Sequence, residues 1–343
     1  MQLPINIAGG GLTGLALGIA LKQQGAAQVV IHEAGTYPRH RVCGEFICGV
    51  EKGTLTRLGI ADLLSEALQP KTLAWYADNE EVRQDLIPTE AYSISRYALD
   101  QKLVDRFCSL GGHLKTGVRI RPENRAQWID CTGRQPKSTS PWLGLKCHLR
   151  SIDLKADLEM HVAAEGYIGI NQVESGHFNV CGLFKKQGNR CLNRKEPLLM
   201  QYARRVFGTE LAARLASSPI IKGSECAVSA LDYSNPTTPG TDGSICLGDA
   251  NGLIPPFTGN GMSIAFESAD LALDPLLMFA NRKTTWTQAA NKIATLQHSR
   301  LSKRVYLAQK LHPWVTNRRR LTATTRLARL PIFPFKALFR ATH

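Results

Sequence analysis

The sequence predicts an α/β fold with a parallel sheet, a second, antiparallel sheet and a helical, basic C-terminal region. Three observations lead to this expectation. A strand–helix–strand pattern fills the first 33 residues, apolar and polar residues alternate between 142 and 231, and helical spacing dominates after residue 262. With 343 residues, of which 43% are hydrophobic, the chain is long enough for two closely packed domains with a sizeable core.

The N-terminal segment has the order strand, glycine-rich turn, helix, strand. Residues 3–8 predict a short buried strand, residues 15–24 a helix and residues 28–32 a second strand. The turn between the first strand and the helix reads Gly9-Gly10-Gly11-Leu12-Thr13-Gly14, which is a G-x-G-x-x-G pattern. This order is typical of a Rossmann-like dinucleotide site.

Each residue of this pattern has a physical task at such a site. Gly9 would make the tight turn, Gly11 would let the backbone approach a pyrophosphate, and Gly14 would let helix and strand pack closely. The helix N-terminus offers free N–H groups and a partial positive charge to the phosphates. Glu33 lies 19 residues after Gly14 and would bind a ribose through its hydroxyls. The pattern alone fits FAD and NAD equally.

A second strand–loop–helix segment favours FAD. Residues 244–250 predict a buried strand that ends in Gly248-Asp249, and residues 263–273 predict a helix. Between them, three residues shape the turn: Pro256, Gly259 and Gly261. A carboxylate after a strand can accept hydrogen bonds from ribityl hydroxyls, and a helix N-terminus places positive potential near the flavin N1–C2=O edge. A nicotinamide-binding domain has no need of this segment.

The segment Pro38-Arg39-His40-Arg41-Val42-Cys43-Gly44 resembles the geranylgeranyl-reductase-like branch of FAD-dependent oxidoreductases, which is related to the aromatic-hydroxylase flavoproteins. The Gly-Asp-Ala…Pro…Gly-x-Gly stretch after residue 247 is similar to a motif of that whole superfamily. The resemblance implies that Arg39, Cys43 and Gly44 lie beside the flavin. It also implies that Arg96 reaches the FAD phosphates or adenosine, while Asp100 caps or fixes the following helix.

Two residues of this region are candidates for catalysis, Cys43 and Glu45. The spacing of Cys43 and Cys48 also matches the redox pair of flavoprotein disulfide reductases, but the chain lacks their second nucleotide-binding fingerprint. Glu45 is either an acid–base group or a residue that faces solvent. No paired Cys-x-x-Cys spacing predicts a metal site.

The predicted domains interleave along the chain. Residues 1–70, 93–140 and 241–275 form a discontinuous FAD-binding domain, in which residues 127–134 supply a further strand. Residues 71–92 and 141–240 form the substrate domain, with a helix at 196–215. Residues 276–343 form the helical basic C-terminal region.

The positive charge of the chain is concentrated in that last region. The net charge is +14, and residues 275–343 hold 14 Lys or Arg and no Asp or Glu. Such asymmetry indicates an acidic partner, either a membrane surface or an acidic carrier protein, although a solvated face is the alternative. Arginines beside Phe and Leu suit a membrane interface, whereas no recognised nucleic-acid module is present. Without a signal peptide or a run of about 18 apolar residues, the expected location is cytoplasmic, with possible peripheral membrane contact.

The sequence therefore predicts an FAD-dependent oxidoreductase that acts on a lipophilic or aromatic small molecule by hydride transfer, with double-bond reduction as one version. The first alternative is an FAD-dependent monooxygenase or hydroxylase. The second is a flavoprotein electron carrier or assembly factor that acts on a protein partner. Since no dedicated NAD(P)H domain is visible, NAD(P)H would bind transiently as reductant or a partner would supply electrons.

Overall fold

The computed structural model describes residues 2–121, 127–134, 139–186, 193, 195–231, 233 and 243–343; the predicted domain boundary at 240/241 lies outside them. The strands are β1 (Ile5–Ala8), β2 (Val29–Glu33), β3 (Phe46–Cys48), β4 (Thr72–Ala77), β5 (Glu80–Leu86), β6 (Ala91–Ser93), β7 (His113–Thr116), β8 (Trp128–Asp130), β9 (Trp142–Leu149), β10 (Leu158–Ala163), β11 (Gly166–Gln172), β12 (Phe178–Lys185), β13 (Cys226–Leu231) and β14 (Ile245–Cys246). The helices are α1 (Leu12–Gln23), α2 (Lys52–Arg57), α3 (Arg96–Ser109), α4 (Leu198–Phe207), α5 (Thr209–Ala216), α6 (Gly261–Ala280), α7 (Trp286–Thr316), α8 (Arg318–Ala328) and α9 (Phe335–Thr342).

The first sheet is parallel, as predicted, and has the spatial order β14-β8-β1-β2-β7. Residues 12–21 of α1 are all buried, because this helix packs against the sheet and against α3 and α6. A helix enclosed in this way needs apolar or small residues on every side, and the segment after the glycine-rich turn supplies them. The small ladder β3–β6 lies beside this sheet region and leads from the Cys43 segment toward α3.

The second sheet has seven strands in the order β13-β9-β12-β11-β10-β4-β5. The prediction of an antiparallel sheet is wrong at one place, since β10 and β4 pair in parallel. β4 and β10 are not joined by a hairpin, because β4 and β5 come earlier in the chain, before α3 and β8. In the sheet, β4 pairs with β10 and β5 forms the edge. The outer face of the sheet packs on α4 and α5. The sequence predicts one helix at 196–215, but Gly208, with a φ of 82°, divides it into these two.

The C-terminal region is helical, as predicted, and it packs on the rest of the molecule. Helix α7 packs on α6 and reaches β10, while α8 reaches β5 and α9 returns along α7. Thr285 begins α7 with a capping box, in which its side chain and that of Gln288 bond the opposite backbone N–H groups. Among the described residues, no helix combines the length and apolar character needed to cross a membrane.

Candidate active site

A cavity of about 1240 Å³ lies between the carboxyl ends of the parallel strands and the inner face of the seven-stranded sheet. Its volume exceeds the ~300–1,000 Å³ that one small ligand commonly occupies. The carboxyl ends of parallel strands are where open α/β sheets bind nucleotides. Eleven of the thirteen predicted cofactor residues line this one cavity: Gly9, Gly11, Glu33, Arg39, Cys43, Gly44, Arg96, Asp249, Pro256, Gly259 and Gly261. The other two, Gly14 and Gly248, pack behind the wall.

The three glycines of the N-terminal turn meet different surroundings. A Cβ added at Gly9, where φ is 103°, would lie 2.1 Å from the carbonyl oxygen of Cys131. At Gly14 it would lie 2.0 Å from the carbonyl oxygen of Gly9, so strand and helix pack backbone to backbone there. At Gly11 it would meet no protein atom within 4 Å. Gly11 therefore faces open cavity space at the start of α1, where helical N–H groups lack intrahelical acceptors.

Glu33 is fixed at the carboxyl end of β2 as a nearly buried carboxylate. It accepts hydrogen bonds from the backbone N–H groups of Gly10 at 2.9 Å and Gly35 at 2.8 Å, and it pairs with Arg39 at 2.6 Å. Burial raises the pKa of Glu33, but the Gly35 hydrogen bond and the charges of Arg41 and Arg39 outweigh it, so the pKa is lowered. Glu33 is therefore an anion at neutral pH, on the cavity wall.

Asp100 holds two arginines in position beside Glu33, since Arg41 lies close to both carboxylates. This fully buried carboxylate binds Arg96 through two contacts of 2.7 and 3.0 Å, and it accepts from Nε of Arg41 at 3.0 Å. The N-cap of α3 is Ser95, whose side chain accepts from the N–H of Ala98. Asp100 therefore orients the arginines instead of capping the helix.

Arg41 was absent from the predicted site residues, although it lies within the segment that carries the family resemblance. Its side chain lines the cavity, and its Nη2 is buried with no hydrogen-bond partner among the described residues. Nη2 lies 3.9 Å from Oε2 of Glu33, which is too far for a hydrogen bond. Nε of Arg39 is unpartnered in the same way. Two guanidinium groups thus have unused donors beside the glycine-rich turn.

The second predicted loop meets the first at α1. Gly248 has a φ of 60°, and a Cβ there would lie 2.3 Å from the hydroxyl oxygen of Thr13 on α1. The next residue, Asp249, is open to the cavity and enclosed by protein around it. Burial raises the pKa of Asp249, while the charges of Arg96 and Arg134 oppose the rise. Beyond the turn, α6 begins at Gly261 with its N-terminus on the cavity wall.

The two cysteines of the predicted redox spacing have separate environments. Cys43 lines the cavity, and its sulfur accepts from the N–H of Glu45 at 3.4 Å. Burial raises the pKa of Cys43, so the thiol form dominates at neutral pH. Cys48 lies on β3 against the Thr89 hydroxyl, and burial raises its pKa to about 11. All eight cysteines of the described ranges are free thiols, so this structure contains no Cys43–Cys48 disulfide.

Glu45 lies behind the cavity wall, fully buried, with a φ of 52°. It accepts hydrogen bonds from Nζ of Lys146 at 2.9 Å, from Nε2 of His148 at 2.6 Å and from the N–H of Arg96 at 3.0 Å. Burial raises the pKa of Glu45, but the bonds from His148 and Lys146 outweigh it and lower the pKa. The structure therefore excludes the alternative in which Glu45 faces solvent.

The partners of Glu45 were also absent from the predicted site. Lys146 and His148 alternate with apolar residues along β9, and this was the only signal the sequence offered for them. Nζ of Lys146 also lies 3.1 Å from Nδ1 of His40, which lines the cavity. Burial and the charge of Lys146 lower the pKa of His40 to about 4, so its imidazole is neutral. The Lys146 ammonium therefore lies between His40 and Glu45 and supplies the positive charge of this cluster.

The rest of the cavity is mostly apolar. Alternate residues of the seven-stranded sheet line one side, among them Leu73, Met160 and Leu183. The C-terminal helices line the other side with four large side chains, Trp314, Phe335, Leu338 and Phe339. The C-terminal region, which the sequence predicts only as a contact for partners, also closes the cavity.

Two side chains, Asn260 and Arg304, fasten the C-terminal end of α9 in that position. Asn260, at the start of α6, donates to the carbonyl oxygen of Thr342. Arg304 on α7 donates to the carbonyl oxygen of His343 and pairs with Glu267. The apolar wall is therefore attached to the same loop that shapes the polar end of the cavity.

The chain has the fold of FAD-dependent monooxygenases. Comparison with solved structures relates it to PqsL, a probable FAD-dependent monooxygenase from Pseudomonas aeruginosa, with a TM-score of 0.71 and 16% identity over 94% of this chain and 99% of that one. Klebsiella pneumoniae HpxO in complex with FAD and uric acid gives 0.74 and 16%, over 99% and 96%. The p-nitrophenol 4-monooxygenase PnpA from Pseudomonas putida DLL-E4 gives 0.74 and 13%, over 99% and 98%. No family model and no curated protein matches the chain.

Proposed function

We propose that this protein binds FAD and is a monooxygenase that acts on a lipophilic or aromatic small molecule. One observation carries the proposal: eleven predicted cofactor residues, from segments far apart in the sequence, line one cavity that continues into an apolar chamber. The structures that share this fold support a monooxygenase over a geranylgeranyl-reductase-like enzyme. They include a complex with FAD and an enzyme of p-nitrophenol, which is an aromatic compound.

The polar end of the cavity fits FAD. The open space at Gly11 and the unused donors of Arg39 and Arg41 would hold the pyrophosphate, because guanidinium groups match phosphate oxygens. Glu33 would accept from the ribose hydroxyls and Asp249 from the ribityl chain. Bound FAD would supply two-electron transfer and the activation of dioxygen.

The apolar chamber determines the substrate class in this proposal. Its large side chains from the second sheet and the C-terminal helices would bind a lipophilic or aromatic ring and keep water away from the reaction. An electron carrier or assembly factor needs no such chamber, and for this reason we favour an enzyme. The reductant would be NAD(P)H, bound transiently at the cavity, where Arg119, Arg121 and Arg134 offer further positive charge.

The reaction inserts one oxygen atom of O₂ into a carbon–hydrogen bond, while the other leaves as water with two electrons from NAD(P)H and two protons. We expect ¹⁸O from ¹⁸O₂ to appear in the product when the FAD-loaded protein receives NAD(P)H and a panel of lipophilic phenols. Mass spectrometry of the products measures the incorporation, with the same mixture under nitrogen as control. A product that gains two hydrogens under nitrogen and carries no label would instead identify a reductase.

A further inference from the structure

Exposed apolar side chains are concentrated in the C-terminal region. Of the eleven large apolar residues that are most exposed among the described ones, six lie between residues 306 and 338. Three of them stand together at the end of α8 and in the turn that follows: Leu327, Leu330 and Ile332, which are 53%, 44% and 85% exposed. Isolated exposed apolar residues are ordinary, but a local cluster of this kind indicates an interaction surface.

The fold holds this turn in place from beneath. Phe333 packs with Ala77, Val82 and Ala328, and the guanidinium of Arg83 lies 5.8 Å from the centre of its ring. Arg83 also donates to the carbonyl oxygens of Ala328 at 3.2 Å and Leu330 at 3.3 Å. The turn is therefore anchored to β5, and the side chains of Leu327, Leu330 and Ile332 remain exposed on its outer side.

Basic side chains surround the exposed cluster, and no acidic residue follows Asp274. Arg326, Arg329, Lys336 and Arg340 are all exposed. Arg329 pairs with Glu80, whereas the other three form no ion pair within the described ranges. Positive charge beside exposed Leu and Ile matches an anionic lipid surface, where headgroups pair with the cations and the acyl region accepts the apolar side chains.

We propose that residues 326–340, the basic apolar surface, dock on an anionic membrane. Ile332 lies at the turn between α8 and α9, a protruding position that suits insertion between lipids. Three residues within this surface, Phe335, Leu338 and Phe339, also line the cavity. This inference rests on the proposed function for its purpose: a lipophilic substrate passes from the bilayer to the apolar chamber along these side chains.

Co-sedimentation with vesicles tests the surface directly. The FAD-loaded full chain is mixed with vesicles of phosphatidylcholine alone or with about one third phosphatidylglycerol. We expect binding to the anionic vesicles only, and weaker binding at high salt because surface charges are screened. Ile332→Asp should reduce the partition constant about tenfold or more, since it removes the most exposed apolar side chain. Leu68→Asp, at an exposed apolar residue outside this surface, should leave binding unchanged.

The charges have their own matched pair of variants. Lys336→Gln combined with Arg340→Gln should also reduce the partition constant about tenfold or more, from two lost lipid-facing cations. Lys52→Gln combined with Lys71→Gln, at exposed lysines elsewhere, removes the same net charge and should have little effect. Equal losses in both double variants would mean that net charge alone drives the binding and would overturn the proposed surface.

Three further outcomes separate this inference from the proposed function. Absence of binding to any vesicle, in protein that still holds FAD, would overturn the membrane surface and leave the proposed function standing. Retention on polyglutamate without binding to anionic vesicles would also overturn it and would favour an acidic protein partner. Vesicle binding that depends on Ile332 in protein that takes up no FAD would support the surface and contradict the proposed function.

Discussion

Gly11→Val should give a folded protein that takes up no FAD. The backbone at Gly11 is extended, with φ −83° and ψ −169°, and an added Cβ meets no protein atom within 4 Å. The protein itself therefore tolerates the substitution, while the isopropyl group fills the space proposed for the pyrophosphate. We expect FAD affinity to fall at least ~100-fold, or about 2.8 kcal/mol, as measured by fluorescence titration of the apoprotein.

Two other glycines provide the controls for this variant. Gly53→Val, also at a position with no atom within 4 Å but outside the cavity wall, should keep normal FAD affinity. Gly14→Val should fail to fold, because its Cβ would lie 2.0 Å from the carbonyl oxygen of Gly9. Normal FAD affinity in Gly11→Val would show that the phosphates bind elsewhere.

Lys146→Met should destabilise the fold strongly. It removes the ammonium partner of Glu45, and both side chains are completely buried. Leaving one member of a buried pair without its partner commonly costs about 3–5 kcal/mol. The free energy of unfolding from urea titration measures the effect, and a Lys146→Met, Glu45→Gln double variant should recover part of it. Lys102→Met, which breaks the surface pair with Glu66, should change stability little.

The effect of Lys146→Met should depend on pH with a defined sign. In the native protein the pKa of Glu45 is lowered, so its stabilising contribution is full above the unfolded pKa of about 4.3 and is lost as pH falls through the folded pKa. Without Lys146, one of the two side chains that lower the pKa of Glu45 is lost while His148 remains, so burial shifts that pKa upward and protonation at acidic pH relieves part of the uncompensated charge. The stability deficit should therefore shrink as pH falls from 8 to 5, and a constant deficit would contradict the assigned ion pair.

The meeting of the proposed cofactor residues at one cavity was predictable because their sequence signals are local. Gly9, Gly11 and Gly14 follow one strand within six residues, and Asp249 follows another, so sequence order alone places them at the edge of one sheet. Their approach to each other needs only parallel strand pairing, which the strand–helix–strand pattern predicts.

The rest of the site depends on contacts between distant parts of the chain. Glu45 meets Lys146 and His148 across 101 and 103 residues, and alternation along β9 indicates only that these two side chains share one face. That face is buried because it packs against the segment that contains Cys43 and Glu45. The alternation of polar and apolar residues alone would predict that a polar face is exposed to solvent. The same reason hid the contribution of Phe335 and Phe339 to the cavity, since the return of α9 along α7 leaves no mark in local sequence.

The most direct test of the central claim is the FAD content of the purified protein. The absorbance spectrum of the native protein and of the supernatant after denaturation measures bound and released flavin per chain. We predict one FAD per chain, released intact on denaturation. Folded protein that is colourless and binds no FAD at saturating concentration would contradict the proposed site and the monooxygenase function built on it.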